Sequence, residues 1–201
     1  MVAMIAAASS ADLLEVTDLP TDRPFTIDDL DLLPDDGNRY ELDDGVLVVT
    51  PPPTMGHQRV VYRLGVTLGA ACPAEYEVLP GAGVLISQIQ YRIPDIVVIR
   101  AGSARFMDVS ATEAPVLAVE VSSPSTASYD RTRKKDVYAQ FGIESYWIVL
   151  PDPEKPTLVA YELRRGQYHL LNETRGDDAF RAVIPFACEI VPAALVAGGP
   201  R

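Results

Sequence analysis

Short apolar and polar blocks alternate along this chain and predict a mixture of strands and helices. Apolar blocks typical of strands covered on both faces occur at 96–99, 116–121 and 145–150. The periodicity becomes helical at about 55–71 and again at about 130–141. Because strand and helix patterns are interspersed and hairpins are frequent, we expect an α/β or α+β fold with one central mixed sheet flanked by helices.

Capping and turn residues mark the ends of several predicted elements. Asp43-Asp44-Gly45 separates two strand-like segments and predicts a hairpin whose glycine takes a positive φ. Thr54 is expected to cap the first long helix, and Gly142 to end the second one. Thr26 predicts a further short helix over 27–33 for the same reason.

Length and composition fit one folded domain. The chain has 201 residues, of which 48% are hydrophobic and 22% are charged, as is ordinary for a globular protein. We expect a flexible arm at 1–24, one domain at 25–190 and a C-terminal tail at 191–201. No apolar run approaches membrane-spanning length, and the two cysteines have no metal or redox spacing. These features predict a cytoplasmic protein without a membrane partner.

The net charge restricts the ways in which the chain could bind nucleic acid. A charge of −11 argues against a broad, non-specific grip on phosphates. It leaves room for a local basic patch, and bound metal makes an acidic site less repulsive to a polyanion.

Two carboxylates interrupt or open the most apolar strands. Asp95 follows Pro94 directly before the strand at 96–99, and Glu120 lies within the strand at 116–121. A buried carboxylate is costly unless positive charge is close, and a divalent cation together with a lysine would supply it. The alternatives are an aspartate that marks a strand edge and a glutamate in a structural ion pair with an arginine.

A lysine on the second helix is placed to face these acids. Tyr138 and Phe141 follow Lys134 at i+4 and i+7, so the lysine shares the apolar stripe that faces the sheet. Its immediate neighbours are rotated by about 100° and are expected to face solvent. The alternative is a lysine that runs along the core edge with its ammonium group in water.

Three less specific features could also carry chemistry. Glu41 in the first strand could add a carboxylate to the site, and a surface glutamate is an equal alternative. His57 lies on the apolar face of the first long helix, where a hydrogen-bonded core histidine is commoner than a ligand or a base. A nucleophile set of Ser122, Ser123 and Ser125 with His57 is disfavoured, because serines beside prolines usually form turns.

Several of these motifs together resemble the Uma2 family of restriction endonuclease-like proteins. The resemblance covers roughly residues 25–190. The motifs that carry it are Arg39-Tyr40-Glu41-Leu42-Asp43-Asp44-Gly45, Pro94-Asp95, Glu120-Val121-Ser122-Ser123-Pro124-Ser125-Thr126 and Asp130…Lys134…Tyr138…Gly142…Tyr146-Trp147. It implies a PD-(D/E)XK nuclease-like fold with the site at one edge of a mixed sheet. Asp95 then matches the aspartate of the nuclease motif, and Glu120 matches its second acid.

The resemblance also assigns roles to other residues. The motif lysine is expected two residues after the second acid, where this chain has Ser122. Members of the family carry a lysine on the following helix instead, which maps to Lys134. Glu41 matches a family glutamate that extends the metal site, and His57 matches a recurrent helix histidine.

The leading hypothesis is therefore an endonuclease that hydrolyses DNA with Mg²⁺ or Mn²⁺. Asp95, Glu120 and the Val121 carbonyl would hold the metal, and Lys134 would orient water or neutralise charge on the phosphate. The residues expected to contact the DNA backbone are Arg131, Arg133 and Lys135. Family analogy predicts a homodimer, since two nicks need two sites. The alternative is a catalytically inactive nuclease-like module that acts as a binding or assembly domain.

Overall fold

The computed structural model describes most of the chain and divides it into two compact units. The first unit comprises Met1–Pro52 and Ser87–Tyr91, and the second comprises Pro53–Ile86 and Arg92–Arg201. The side chains of Ser110, Asp130 and Arg131 lie outside the described part. The described residues are 19–104, 110–111, 113–122 and 130–198. Most of the predicted arm at 1–24 is outside these ranges, so the predicted domain boundaries stay a prediction.

The secondary structure agrees with the mixed pattern of the sequence. The strands in chain order are β1 (Arg39–Asp43), β2 (Val46–Thr50), β3 (Tyr76–Pro80), β4 (Gly83–Ser87), β5 (Gln90–Arg92), β6 (Ile96–Arg100), β7 (Ser110–Ala111), β8 (Leu117–Val121), β9 (Ser145–Leu150), β10 (Thr157–Arg164), β11 (Gln167–Arg175), β12 (Phe180–Ala182) and β13 (Cys188–Ile190). The helices are α1 (Met55–Ala71), α2 (Lys135–Phe141) and α3 (Pro192–Val196), with a 3₁₀ turn at Ile27–Leu32 and a π-helical turn at Asp130–Lys134.

The first unit is organised by the predicted hairpin. β1 and β2 pair antiparallel, with Glu41 opposite Val48. Asp44 and Gly45 have φ angles of 51° and 76°, as a tight hairpin turn requires. A Cβ atom on Gly45 would also lie 2.4 Å from Pro24 Cβ, so this position admits only glycine.

The second unit contains the central sheet. Its six strands have the order β11-β10-β9-β8-β6-β3. β8 and β9 are parallel, and the other neighbouring pairs are antiparallel. The predicted mixed sheet is thus confirmed. β8 is buried along its whole length, which explains its nearly continuous apolar sequence.

Helices cover both faces of this sheet. The buried stripe of α1, including Leu64 and Leu68, belongs to one core cluster with Val119 of β8. The buried residues of α2, Val137 and Tyr138, pack in a second cluster. The strand residues of this cluster alternate in sequence with the strand residues of the first cluster. Because successive strand residues point to opposite faces, β8 sends its odd-numbered side chains towards α1 and its even-numbered ones towards α2.

The capping residues predicted from the sequence lie at the start of α1 and at the end of α2. Thr54 Oγ1 accepts the backbone N–H of His57 at 3.2 Å and starts α1. Gly142, with a φ of 92°, ends α2 and donates its N–H to the carbonyl groups of Tyr138 and Ala139. Within the predicted tail, residues 192–196 form α3. Among the helices of the described ranges, none is long and apolar enough to cross a membrane.

Candidate functional site

Asp95 lies directly before the start of β6, across from Glu120 of β8. The antiparallel register pairs Ile96 with Val119, and one further step brings Asp95 opposite Glu120. On its other side, the Asp95 carbonyl accepts the N–H of Gly81 at 3.0 Å, so the backbone at this residue still continues the sheet. Two residues that lie 25 positions apart in sequence therefore share one end of the central sheet.

The carboxylate of Asp95 is buried and hydrogen-bonded. The residue is 3% exposed, and its Oδ2 accepts the backbone N–H of Val121 at 2.8 Å. The side chain thus serves as an acceptor for β8 just before β6 begins, directly after Pro94. The same Oδ2 lies 3.0 Å from His57 Nε2. These contacts fix the carboxylate beside the end of β8.

His57 reaches Asp95 from the first turn of α1. Its side chain is 19% exposed, so the imidazole is close to solvent while it contacts a buried acid. Because a carboxylate accepts hydrogen bonds, Nε2 carries the proton in this contact. Among the described residues, Nδ1 of His57 has no hydrogen-bond partner.

Glu120 accepts two donors from the second helix. The residue is 4% exposed, and its Oε1 lies 2.9 Å from Lys134 Nζ and accepts the Tyr138 hydroxyl at 2.7 Å. A positive charge at contact distance offsets much of the cost of burying the carboxylate. The structure therefore places the predicted lysine at the predicted glutamate.

Lys134 is the last residue of the π-helical turn that precedes α2. Its side chain is 11% exposed, and the ammonium group contacts Glu120 instead of extending into water. Short π-helical turns are uncommon in proteins, and those that do occur often lie at functional sites. The stripe formed by Lys134, Tyr138 and Phe141 thus faces the sheet, as the spacing predicted.

Of the three residues predicted to contact DNA, the structure describes the side chains of two. Arg133 and Lys135 are half-buried. The ammonium group of Lys135 lies 4.3 Å from the ring centroid of Tyr161, in a cation–π contact that the sequence pattern did not predict. The side chain of Arg131 lies outside the described residues, so its role stays a prediction.

The remaining candidates are divided between the two units. Glu41 is buried on β1 in the first unit, and its part in a metal site stays a prediction. Ser122 is buried at the end of β8, and its N–H donates to the Val149 carbonyl at 2.8 Å. Ser123 and Ser125 lie outside the described residues.

Tyr138 donates its hydroxyl to Glu120, a contact at the candidate site that the sequence did not predict. Its spacing placed it on an apolar stripe, and packing in the core was the only role considered. A signal was available, because a buried tyrosine hydroxyl usually needs a hydrogen-bond partner. Because Tyr138 lies one helical turn after Lys134, its hydroxyl is expected near the acid that the lysine faces.

The donor set at this end of the sheet fits a hard divalent cation. Mg²⁺ is usually bound by one or two carboxylates together with water and substrate phosphate oxygens. Asp95 and Glu120 supply two buried carboxylates on neighbouring strands, and Val121 adds a backbone carbonyl at the end of β8. In the described part of the chain, no group of three or more His, Cys, Asp or Glu side chains is arranged to hold a metal. The candidate ligands at this end of the sheet are therefore two carboxylates and one backbone carbonyl.

Known proteins resemble this chain in sequence and in fold. The model of the Uma2 family, described as "Putative restriction endonuclease", matches residues 27–191. A crystal structure of "a putative nuclease belonging to DUF820" from Anabaena variabilis aligns with a TM-score of 0.66 at 17% identity, covering 87% of this chain and 98% of that one. At this identity the likeness shows a shared fold. No curated protein matches. The family match confirms the resemblance seen in the sequence motifs.

Proposed function

Because the chain belongs to the Uma2 family, we propose that it is a nuclease that hydrolyses DNA phosphodiester bonds with Mg²⁺ or Mn²⁺. One observation supports this proposal most. Lys134 brings its ammonium group to within 2.9 Å of Glu120, a glutamate buried on the central strand β8. A second buried carboxylate, that of Asp95, accepts the N–H of Val121, the residue directly after Glu120.

Asp95 and Glu120 would hold the metal, with the Val121 carbonyl as a further ligand. When bound there, the metal would supply Lewis-acid chemistry, with activation of water and stabilisation of negative charge on the phosphate. The contacts described above fall on Oδ2 of Asp95 and Oε1 of Glu120. Since a carboxylate has two oxygens and about four lone-pair positions, such contacts are compatible with metal coordination.

Lys134 would act on the substrate from the side of Glu120. An ammonium group that is largely shielded from water interacts strongly with charge that develops nearby. Lys134 would thereby orient the attacking water or neutralise the phosphate oxygen, in place of the motif lysine that Ser122 replaces. His57 would keep the Asp95 carboxylate oriented through its hydrogen bond.

Substrate binding would involve the basic residues around the π-helical turn. Arg131, Arg133 and Lys135 would contact backbone phosphates beside the bond that is cleaved. A homodimer would supply the two sites that cleavage of both strands needs.

The direct test is metal-dependent cleavage by the full chain. Plasmid and linear DNA are incubated with Mg²⁺ or Mn²⁺ and with the variants Glu120→Gln and Asp95→Asn. Both substitutions should abolish cleavage, while Glu144→Gln should not, because Glu144 is an exposed acid paired with Arg100. Undiminished cleavage by Glu120→Gln in a clean preparation would refute this mechanism. A wild-type protein that neither cleaves nor binds Mn²⁺ would favour the inactive module.

A further inference from the structure

We infer that Tyr138 is a positioning residue that sets the orientation of the Glu120 carboxylate for metal binding. The inference rests on the function proposed above, since it gives Glu120 the part of a metal ligand. It assigns Tyr138 a role through Glu120, without contact to the metal or to the DNA.

The first step is the geometry at Oε1 of Glu120. The Tyr138 hydroxyl donates to this oxygen at 2.7 Å, and the Lys134 ammonium lies 2.9 Å from the same atom. The terminal torsion of a glutamate is broad, so an unconstrained carboxylate rotates easily. Two donors that approach one oxygen from different side chains restrict that rotation and fix the carboxylate plane.

The two donors differ in what they contribute. Lys134 brings a full positive charge, which stabilises the buried carboxylate but also weakens its attraction for a cation. Tyr138 is neutral and donates a short, charge-assisted hydrogen bond. It can therefore hold the carboxylate in place while leaving its negative charge available to a metal.

Tyr138 is itself held rigidly. The residue is 0% exposed, and its ring meets Tyr146 edge to face at 5.2 Å between centroids. Tyr146 also packs against Tyr168, with ring centroids 5.7 Å apart, and the Tyr168 hydroxyl donates to the Ile143 carbonyl at 2.7 Å. A tyrosine fixed by such packing directs its hydroxyl to one place, as a supporting residue behind a metal ligand must.

The test compares Tyr138→Phe with Tyr168→Phe. Both substitutions remove one buried hydroxyl from the same tyrosine cluster, and only the hydroxyl of Tyr138 contacts Glu120. The Kd for Mn²⁺ is measured by calorimetry on the full chain, and cleavage is measured alongside. We expect Tyr138→Phe to raise the Kd about 10- to 100-fold, the range for residues that orient metal ligands. Tyr168→Phe should lower only the thermal midpoint.

The outcomes separate this inference from the proposed function. If wild-type protein binds Mn²⁺ in a way that Asp95→Asn abolishes, while Tyr138→Phe binds equally well, the positioning role is wrong and the function stands. If wild type shows no such binding, the function itself fails. Equal losses of affinity in both tyrosine variants would indicate a general effect of the cluster and would also overturn the inference.

A second variant covers the case in which Tyr138→Phe does not fold. Site-specific 3-fluorotyrosine at position 138 keeps the ring and hydroxyl and changes the acidity of the donor. The Mn²⁺ Kd should then change, because the strength of a charge-assisted hydrogen bond depends on its donor, and it should stay the same when 3-fluorotyrosine replaces Tyr168. An unchanged Kd at position 138 would contradict the role.

Discussion

Replacing Lys134 by methionine should destabilise the protein substantially, because it removes the positive charge that contacts the buried Glu120 carboxylate. At an effective dielectric constant near 20, unit charges 2.9 Å apart attract each other by about 6 kcal/mol. Part of this energy is offset, because the lysine no longer has to be desolvated and Tyr138 still donates to the same carboxylate. Breaking a buried pair typically costs about 3–5 kcal/mol, so we expect a loss near the lower end, about 3 kcal/mol.

The protein carries a convenient reporter for this measurement. Trp147 is the single tryptophan and lies 1% exposed on β9, the strand beside Glu120. Its fluorescence follows urea unfolding in EDTA, so the free energy refers to the metal-free protein. The double variant Lys134→Met with Glu120→Gln should recover most of the loss, because no uncompensated charge is then buried. Lys155→Met, at an exposed lysine, should change the free energy by less than about 0.5 kcal/mol.

Two results would refute this reasoning. A loss below about 0.5 kcal/mol for Lys134→Met would mean that Glu120 does not depend on the lysine charge. A double variant no more stable than Lys134→Met would mean that the cost does not come from an uncompensated carboxylate.

Three further predictions concern other parts of the molecule. Arg63 donates to the carbonyl groups at the end of α3, so Arg63→Ala should speed amide hydrogen exchange there, and an unchanged rate would contradict this. The hydrogen-bonded guanidinium of Arg23 holds the pKa of Asp29 well below its usual range. Since a depressed pKa adds stability that is lost progressively between the unfolded and the folded pKa, the stability gap between wild type and Asp29→Asn should begin to narrow below about pH 4 and keep narrowing as the pH falls, and a constant gap would disprove the link. Burial raises the pKa of the Cys188 thiol to about 11. In a Cys72→Ser background, the Cys188 thiol of the folded protein should react with a disulfide reagent at pH 8 far more slowly than in the unfolded chain, because only about one folded thiol in a thousand is ionised. Equal rates in the folded and unfolded protein would refute this.

Local patterns gave the sequence analysis its most accurate results. The cap at Thr54, the positive φ of Gly45 and the end of α2 at Gly142 each depend on a few neighbouring residues, so they could be inferred from them. The inward direction of Lys134 followed from helical spacing alone. The pairing of Lys134 with Glu120 was also accessible, because a glutamate in a fully buried strand requires a positive partner.

Features that depend on contacts distant in sequence could not be inferred. Nothing near Arg63 indicates that its guanidinium group will bind the last turn of a helix about 130 residues later. β12 and β13 are three residues each, too short for a periodic pattern. The hydrogen bond between His57 and Asp95 joins residues on different elements. The helix face of His57 was enough to identify it as a candidate, whereas its contact with Asp95 could be seen only in the three-dimensional structure.

The most direct test of the proposed metal site is a crystal of the full chain soaked in Mn²⁺ and measured for anomalous scattering. The account predicts one anomalous peak within coordination distance of both the Asp95 and the Glu120 carboxylates, with the Lys134 ammonium facing the same space. A fully occupied Mn²⁺ elsewhere, with both carboxylates unchanged and no peak beside them, would contradict it.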